Sequence, residues 1–409
     1  MKQSSSTAAP GPVVATKRNP GAIRRFIELG AAEPYRIFFP FGLILGLVGV
    51  SLWPLYFADW IRTYPAIPHA RLMIEGMMAA FIFGFLATAG PRLTETRRFS
   101  PWESVGLLAL QAAATTAHLA GHVALGDAAF LVALIAFLQM LGGRFAARRD
   151  LPPPNFVLVF LGLLSAFFGT AILLCDETIL PSPWWHRFGG SLLNQGFVVF
   201  PILGAGAFLL RKFLDLEAGG DEPVMRNPSP EWRIQSGSFA TVGAIIIFSF
   251  ALEAADLTRL GALIRAAATA WYLYSATPWL RPRGGHLANC LRFGLVALVL
   301  APLTLAVFPF RPVAALHVLF LAGYSVAVFA VATRVIFGHS GQSHRFRGSM
   351  PFLLAVVGLL AFALLTRLGA EFGDQSRAEH LVMAAVIWLA ASALWGWRLL
   401  PHVVTPDKT

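Results

Sequence analysis

The chain has 409 residues, of which 56% are hydrophobic and 13% are charged, and its formal net charge is +11. A typical soluble domain carries about 25% charged residues, so this composition excludes an ordinary water-soluble fold. The apolar runs recur at intervals that predict one all-α bundle of membrane-spanning helices, with no separate extramembrane domain.

The predicted elements begin with a polar, basic tail over residues 1–36, which lacks the apolar core and cleavage site of a signal peptide. A helix needs about 20 mostly apolar residues to cross the hydrocarbon core. By this measure about twelve spans follow, six within residues 37–213 and six within residues 238–400. A loop over residues 214–237 separates the two sets, and residues 401–409 form a second tail. The predicted spans cover residues 38–57, 69–89, 102–122, 127–145, 155–174, 191–213, 238–255, 260–278, 288–308, 313–337, 351–368 and 380–399.

The distribution of the 32 Lys and Arg residues predicts the orientation, because these residues are retained on the cytoplasmic side of a membrane. Most of them fall in the segments that are inner if the N-terminus is cytoplasmic. The outer loops then carry Arg62, Arg187, Arg259, Arg265, Arg311, Arg367 and Arg377. We therefore predict that both termini are cytoplasmic, and that the lipid bilayer, rather than nucleic acid, accounts for the positive charge.

The second span contains an unusual group of polar residues, His69-Ala-Arg71-Leu-Met73-Ile-Glu75. Ionisable groups inside a bilayer are costly and indicate a functional site by default. Arg71 and Glu75 are four residues apart on one helical face, where we expect them to pair. His69 and Met73 share the neighbouring face. The alternative is that His69 is interfacial and that Arg71 extends outward to the headgroups.

The third span contains His118 and His122, whose spacing places two imidazoles on one face of a helix. Such a pair can chelate a transition metal, since imidazole is a good ligand for copper, iron and zinc. The alternative is a pair of solvated histidines, because the two residues lie near the end of the span.

The tenth span has polar residues at both ends. His317 lies near its outer end, with Tyr324 on the same face, whereas Arg334 and His339 lie near the inner end. A continuous helix would separate His317 from His339 by about 33 Å, so they cannot bind one metal ion together. His317 could instead be an interhelical hydrogen-bonding residue.

Two local patterns, one in the second span and one in the tenth, carry a resemblance to a known family. They comprise His69, Met73, Gly76, Gly84-Phe85, His317, Arg334-Val335 and Gly338-His339-Ser340-Gly341. These residues resemble the NnrS family, bacterial inner-membrane proteins of about twelve spans that are associated with haem, copper and nitric-oxide tolerance. The resemblance implies haem b as a cofactor and copper as a second one.

The same resemblance implies site residues. His69 and His317 would supply the axial environment of a haem near the outer side, with Met73 and Tyr324 as further cofactor contacts. Arg71 stands where the family has a second histidine, which leaves open whether a copper site is kept.

The sequence supports two functions from different classes. The first is a haem-binding membrane protein of the nitric-oxide response, with nitric oxide or another small molecule as its ligand. Whether it acts as an enzyme, a sensor or a protective binder stays open at this point. The second is a secondary transporter of a small anion or a proton-coupled solute, in which Arg71, Glu75 and Arg334 bind the anion or relay protons.

Overall fold

The computed structural model describes residue 30 and residues 33–175, 179–214, 226–277, 285–373 and 376–405. Within these ranges the chain is helical and contains no β-strand, which confirms the all-α class. Twelve long helical segments follow one another: α1 Tyr35–Phe57, α2 Ala66–Leu93, α3 Pro101–Leu119, α4 Val123–Ala146, α5 Phe156–Cys175, α6 Pro183–Phe213, α7 Pro230–Ala254, α8 Thr258–Ala276, α9 His286–Val307, α10 Pro312–His339, α11 Pro351–Phe372 and α12 Arg377–Val403.

Ten of these helices are long and apolar enough to cross a membrane, judged by length and composition. The other two, α3 and α8, carry polar side chains such as Gln111 and Arg265 within their length. The chain is therefore a multi-pass membrane bundle. The number of twelve spans and the orientation of the termini stay predictions.

Several helix ends differ from the predicted spans, and α6 begins at Pro183 instead of Ser191. Helix α7 begins at Pro230 instead of Ser238, because the Ser229 side chain caps it by accepting a hydrogen bond from the Trp232 N–H. Helix α11 continues to Phe372, beyond the predicted end of its span. Most of the predicted N-terminal tail and residues 215–225 of the central loop lie outside the described residues.

The three most buried helices, α2, α6 and α10, form the centre of the bundle. Each contains a π-helical segment, at Leu72–Met78, Leu192–Gly196 and Val318–Ser325. Such segments are rare and frequently occur at functional sites. The π-helical segment in α2 begins three residues after His69, and the one in α10 begins directly after His317.

A π-helical turn disturbs the regular backbone hydrogen bonding, so side chains of neighbouring helices supply donors to its carbonyl groups. The Gln111 amide nitrogen lies 3.0 and 2.8 Å from the carbonyl oxygens of Glu75 and Gly76 in α2. The Tyr324 hydroxyl donates to the carbonyl oxygen of Gln195 in α6, at 3.0 Å. These contacts fix α2 against α3 and α10 against α6.

Candidate functional site

His69 is positioned by a close approach of α2 to α1. Its Nδ1 lies 2.9 Å from the carbonyl oxygen of Gly49. A Cβ at Gly49 would lie 3.0 Å from Leu72 Cβ and 3.5 Å from Met73 Sδ, so the approach depends on glycine. His69 and Met73 therefore both lie on the side of α2 that faces α1, as their spacing predicts.

His317 has the same hydrogen-bonding arrangement on α10. Its Nδ1 lies 2.8 Å from the carbonyl oxygen of Val313, one turn earlier in the helix. An imidazole nitrogen beside a carbonyl oxygen must carry the proton, so Nδ1–H donates in both histidines. Nε2 of each ring then keeps its lone pair, and the described residues provide it with no hydrogen-bond partner.

The two histidines belong to one neighbourhood at the predicted outer end of the bundle. His317 lies within electrostatic range of His69 and of Arg367, and His69 also interacts with Arg367. The Trp53 ring centroid is 6.0 Å from that of His69, and the Phe320 centroid is 5.9 Å from that of His317. The two residues that the resemblance implied as cofactor ligands thus lie at the same end of the bundle, near Arg367, and their role as ligands stays a prediction.

Arg367 is a neighbour of both histidines that was not identified from the sequence. It was counted with the outer loops although the predicted span 351–368 contains it, and it lies within α11, which continues to Phe372. Its side chain is buried and its Nη1 lies 2.8 Å from Glu371 Oε1. The Arg-to-Glu spacing of four residues is a helical pattern that could have revealed the continued helix.

A second group of charged residues lies at the same end of the bundle, and we call Arg71, Glu75, His118 and Asp127 the Arg71 cluster. The expected ion pair is present, with Arg71 Nε 3.4 Å from Glu75 Oε1. Arg71 is closer to Asp127, at 2.8 Å from Nε to Oδ1 and 2.9 Å from Nη2 to Oδ2. Glu75 Oε2 lies 2.9 Å from His118 Nε2.

Asp127 was not identified from the sequence, because it lies 52 residues or more from its partners in α2 and only the folded chain brings them together. Glu75, His118 and Asp127 are all buried. The cluster therefore joins the first half of α2 to the end of α3 and the beginning of α4.

The expected pairing of His118 with His122 on one helical face does not form. Helix α3 ends at Leu119, and Gly121 takes a left-handed conformation with φ of 83°. His122 is exposed at the start of α4, whereas His118 is buried against Glu75. The spacing of four residues failed as a guide because a turn interrupts the helix between the two histidines.

Tyr324, the fourth residue that the resemblance implied as a cofactor contact, is fully buried. Its hydroxyl is engaged by the Gln195 carbonyl group, and its ring centroid lies 5.5 Å from that of Phe320. Tyr324 thus links α10 to α6, and its role as a cofactor contact stays a prediction.

His339 lies at the opposite, predicted inner end, in a network that joins four helices. Its Nδ1 and Arg92 Nη2 each lie 2.6 Å from Glu33 Oε1. The buried Arg36 pairs with Glu33 Oε2 at 2.7 Å and donates to the carbonyl oxygen of Val403. We call Glu33, Arg36, Arg92 and His339 the inner network.

Arg334 also lies towards the inner end of α10. Its guanidinium carbon is 3.6 Å from the Phe346 ring centroid and 5.0 Å from that of Phe213, which are cation–π contacts. The structure therefore does not place Arg334 in the Arg71 cluster, with which the transporter interpretation grouped it.

The family model described as "NnrS protein" matches residues 31–406, which is nearly the whole chain. The match includes α1 to α12 and every candidate site residue. No curated protein matches the chain.

Proposed function

The chain belongs to the NnrS family, and on this premise we propose that it is a haem protein of the nitric-oxide response in the bacterial inner membrane. We assign haem b to the region between His69 and His317. The observation that supports this assignment is that the two imidazoles have the same hydrogen-bonding arrangement. Each donates from Nδ1 to a backbone carbonyl group, and each keeps Nε2 for a ligand.

This arrangement fits the requirements of a metal-binding imidazole. A metal-binding imidazole usually donates its other ring N–H to a carbonyl or carboxylate group, which fixes the ring orientation and raises the basicity of the ligating nitrogen. The carbonyl groups of Gly49 and Val313 would do this for His69 and His317. Both residues are half-buried.

The neighbouring residues also suit a haem. Trp53 and Phe320 supply aromatic surface beside the two histidines, as an apolar macrocycle requires. The Arg367 guanidinium would offset the negative charge of a propionate group in this low-dielectric region. Glu371 holds Arg367 in position through its ion pair.

The bound haem would supply the electron exchange and the affinity for gases that the side chains lack. His69 and His317 would hold the iron through Nε2. The hydrogen bonds from their Nδ1–H groups to the two carbonyl groups would orient the rings and raise the basicity of the ligating nitrogens.

The charge distribution further supports a haem site on the periplasmic side of the membrane. Arg265 and Arg367 were assigned to outer loops, but both are buried within helices and paired with Glu253 and Glu371. The outer loops thus carry fewer cationic residues than the sequence analysis assumed, which strengthens the bias of positive charge toward the cytoplasm.

The visible absorption spectrum tests this proposal. We expect full-length protein, purified in detergent from haem-sufficient cells, to show a Soret band, and protein from haem-deficient cells to lack it. Colourless protein from haem-sufficient cells would contradict the proposal and favour the secondary transporter. A transporter would move an anion or a proton-coupled solute into liposomes without visible absorption.

A further inference from the structure

The Arg71 cluster contains a set of three metal-ligating side chains that the proposed haem does not use. Glu75, His118 and Asp127 each offer one ligating atom, and these atoms all lie within 4.8 Å of one another. His118 Nε2 is 2.9 Å from Glu75 Oε2 and 3.6 Å from Asp127 Oδ1. Ligands of a tetrahedral zinc ion with bonds of about 2.1 Å are about 3.4 Å apart, so these separations are compatible with one shared ion.

Buried polar atoms in the cluster lack hydrogen bonds. Glu75 Oε1, Asp127 Oδ1 and His118 Nδ1 have no hydrogen-bond partner among the described residues. Arg71 Nε approaches the two carboxylate oxygens at 3.4 and 2.8 Å without the geometry of a hydrogen bond. A buried carboxylate oxygen without a donor is costly, and a metal ion would relieve that cost.

The charges of the cluster indicate which ion suits it. Two carboxylates and one guanidinium leave an excess of one negative charge while His118 is neutral. A divalent ion that carries one hydroxide, or another single anion, adds one positive charge and makes the buried set neutral. Neutrality matters here because Glu75, His118 and Asp127 are shielded from solvent. An unbalanced charge is strongly disfavoured in such a buried position.

We propose that Glu75, His118 and Asp127 bind one divalent first-row metal ion, with zinc as the best fit. Three protein ligands leave a fourth position for a solvent molecule or an anion, as in zinc sites that perform chemistry. Carboxylate oxygens and a single imidazole suit Zn²⁺, Fe²⁺ or Mn²⁺, and the absence of sulfur from the set disfavours Cu⁺.

The backbone of α4 is adapted to the position of His118. A Cβ at Gly126 would lie 2.3 to 2.6 Å from three atoms of the His118 ring, so only glycine allows the ring to lie there. Gly126 directly precedes Asp127, and the glycine thus lets α3 and α4 bring the imidazole and the carboxylate together. The site lies just below the turn that carries the exposed His122, which gives a metal ion a short route from the outer surface.

This proposal is tested by measuring the zinc content and the zinc affinity of full-length protein in detergent. After treatment with a chelator, the protein is titrated with Zn²⁺ by calorimetry, and bound zinc is measured by mass spectrometry. We expect one zinc ion per chain, and we expect His118→Gln and Asp127→Asn each to weaken binding at least tenfold. His122→Gln is the matched control, because this exposed histidine should leave the affinity unchanged.

Wild-type protein without bound zinc, or His118→Gln protein with wild-type affinity, would overturn the proposal. If His118→Gln does not fold, the zinc affinity of Arg71→Gln tests the proposal instead. This substitution removes the positive charge that repels the metal ion. Tighter zinc binding by Arg71→Gln supports the site, and unchanged binding overturns it. Because zinc is measured separately from iron and haem, the result does not depend on the proposed function.

Discussion

Nδ1 of His69 lies 2.9 Å from the carbonyl oxygen of Gly49, across the interface of α2 with α1. This hydrogen bond determines which nitrogen of the ring is free and in which direction it points. Because Gly49 has no side chain, the two helices approach closely enough for the contact to form. The candidate haem ligand is thus positioned by a glycine on another helix.

Replacing Gly49 by Ala should disturb this interface. The added methyl group would lie 3.0 Å from Leu72 Cβ, so α2 must shift and His69 must move with it. We expect a loss of about 1–3 kcal/mol of stability, as for other overpacked interfaces. Thermal unfolding in detergent and the ratio of haem to protein measure the two effects.

Gly106→Ala is the matched control for this substitution, since a Cβ at Gly106 on α3 meets no atom within 4 Å. It should leave stability unchanged or raise it slightly, because alanine favours a helix. Equal behaviour of the two variants would show that the close approach at Gly49 does not position His69.

The Arg71 cluster makes a prediction about charge balance. In the presence of a chelator, Arg71→Gln leaves two buried carboxylates without their guanidinium, and we expect a loss of about 3 kcal/mol. Glu75→Gln should cost less, because Asp127 still balances Arg71. The double variant should be more stable than Arg71→Gln alone. Thermal unfolding of the three variants is the measurement, and a double variant clearly worse than either single one would contradict the pairing.

The inner network should matter for stability but not for the cofactor. Glu33→Gln removes the carboxylate that Arg36, Arg92 and His339 share, and it leaves the buried Arg36 without a counter-ion. We expect a loss of about 3 kcal/mol with an unchanged Soret band. Glu95→Gln, at an exposed position, is the control and should change neither property. A shifted haem spectrum in Glu33→Gln would mean that the cofactor lies at the inner end.

The sequence predicts the helices better than the site. Apolar runs of about 20 residues reveal spans, because every backbone polar group in a bilayer must be bonded within its own segment. The Arg71–Glu75 pair was predictable for the same local reason, since both residues lie on one turn of a helix.

Long-range neighbours were not predictable from one sequence. Asp127 joins Arg71 only through the packing of α2, α3 and α4, and no spacing rule relates the two residues. His122 was wrongly paired with His118, because the helix ends between them and spacing alone cannot show an interruption. The π-helical segments were also missed, since they depend on donors such as Gln111 from a neighbouring helix.

The orientation of the bundle is tested by reporter fusions. An alkaline phosphatase reporter, which is active only outside the cytoplasm, should be inactive between α6 and α7 and after Thr409, because the positive charge lies on that side. The same reporter placed in residues 58–65, between α1 and α2, should be active. Activity at the C-terminus would contradict the charge argument.

The most direct measurement of the central claim is the haem spectrum of histidine variants. His69→Ala and His317→Ala should each abolish or shift the Soret band, because each removes an Nε2 ligand at the outer end. His122→Ala and His339→Gln should leave the spectrum nearly intact, since one is exposed and the other belongs to the inner network. The reverse pattern, with His339→Gln losing haem while His69→Ala and His317→Ala retain it, would contradict the account.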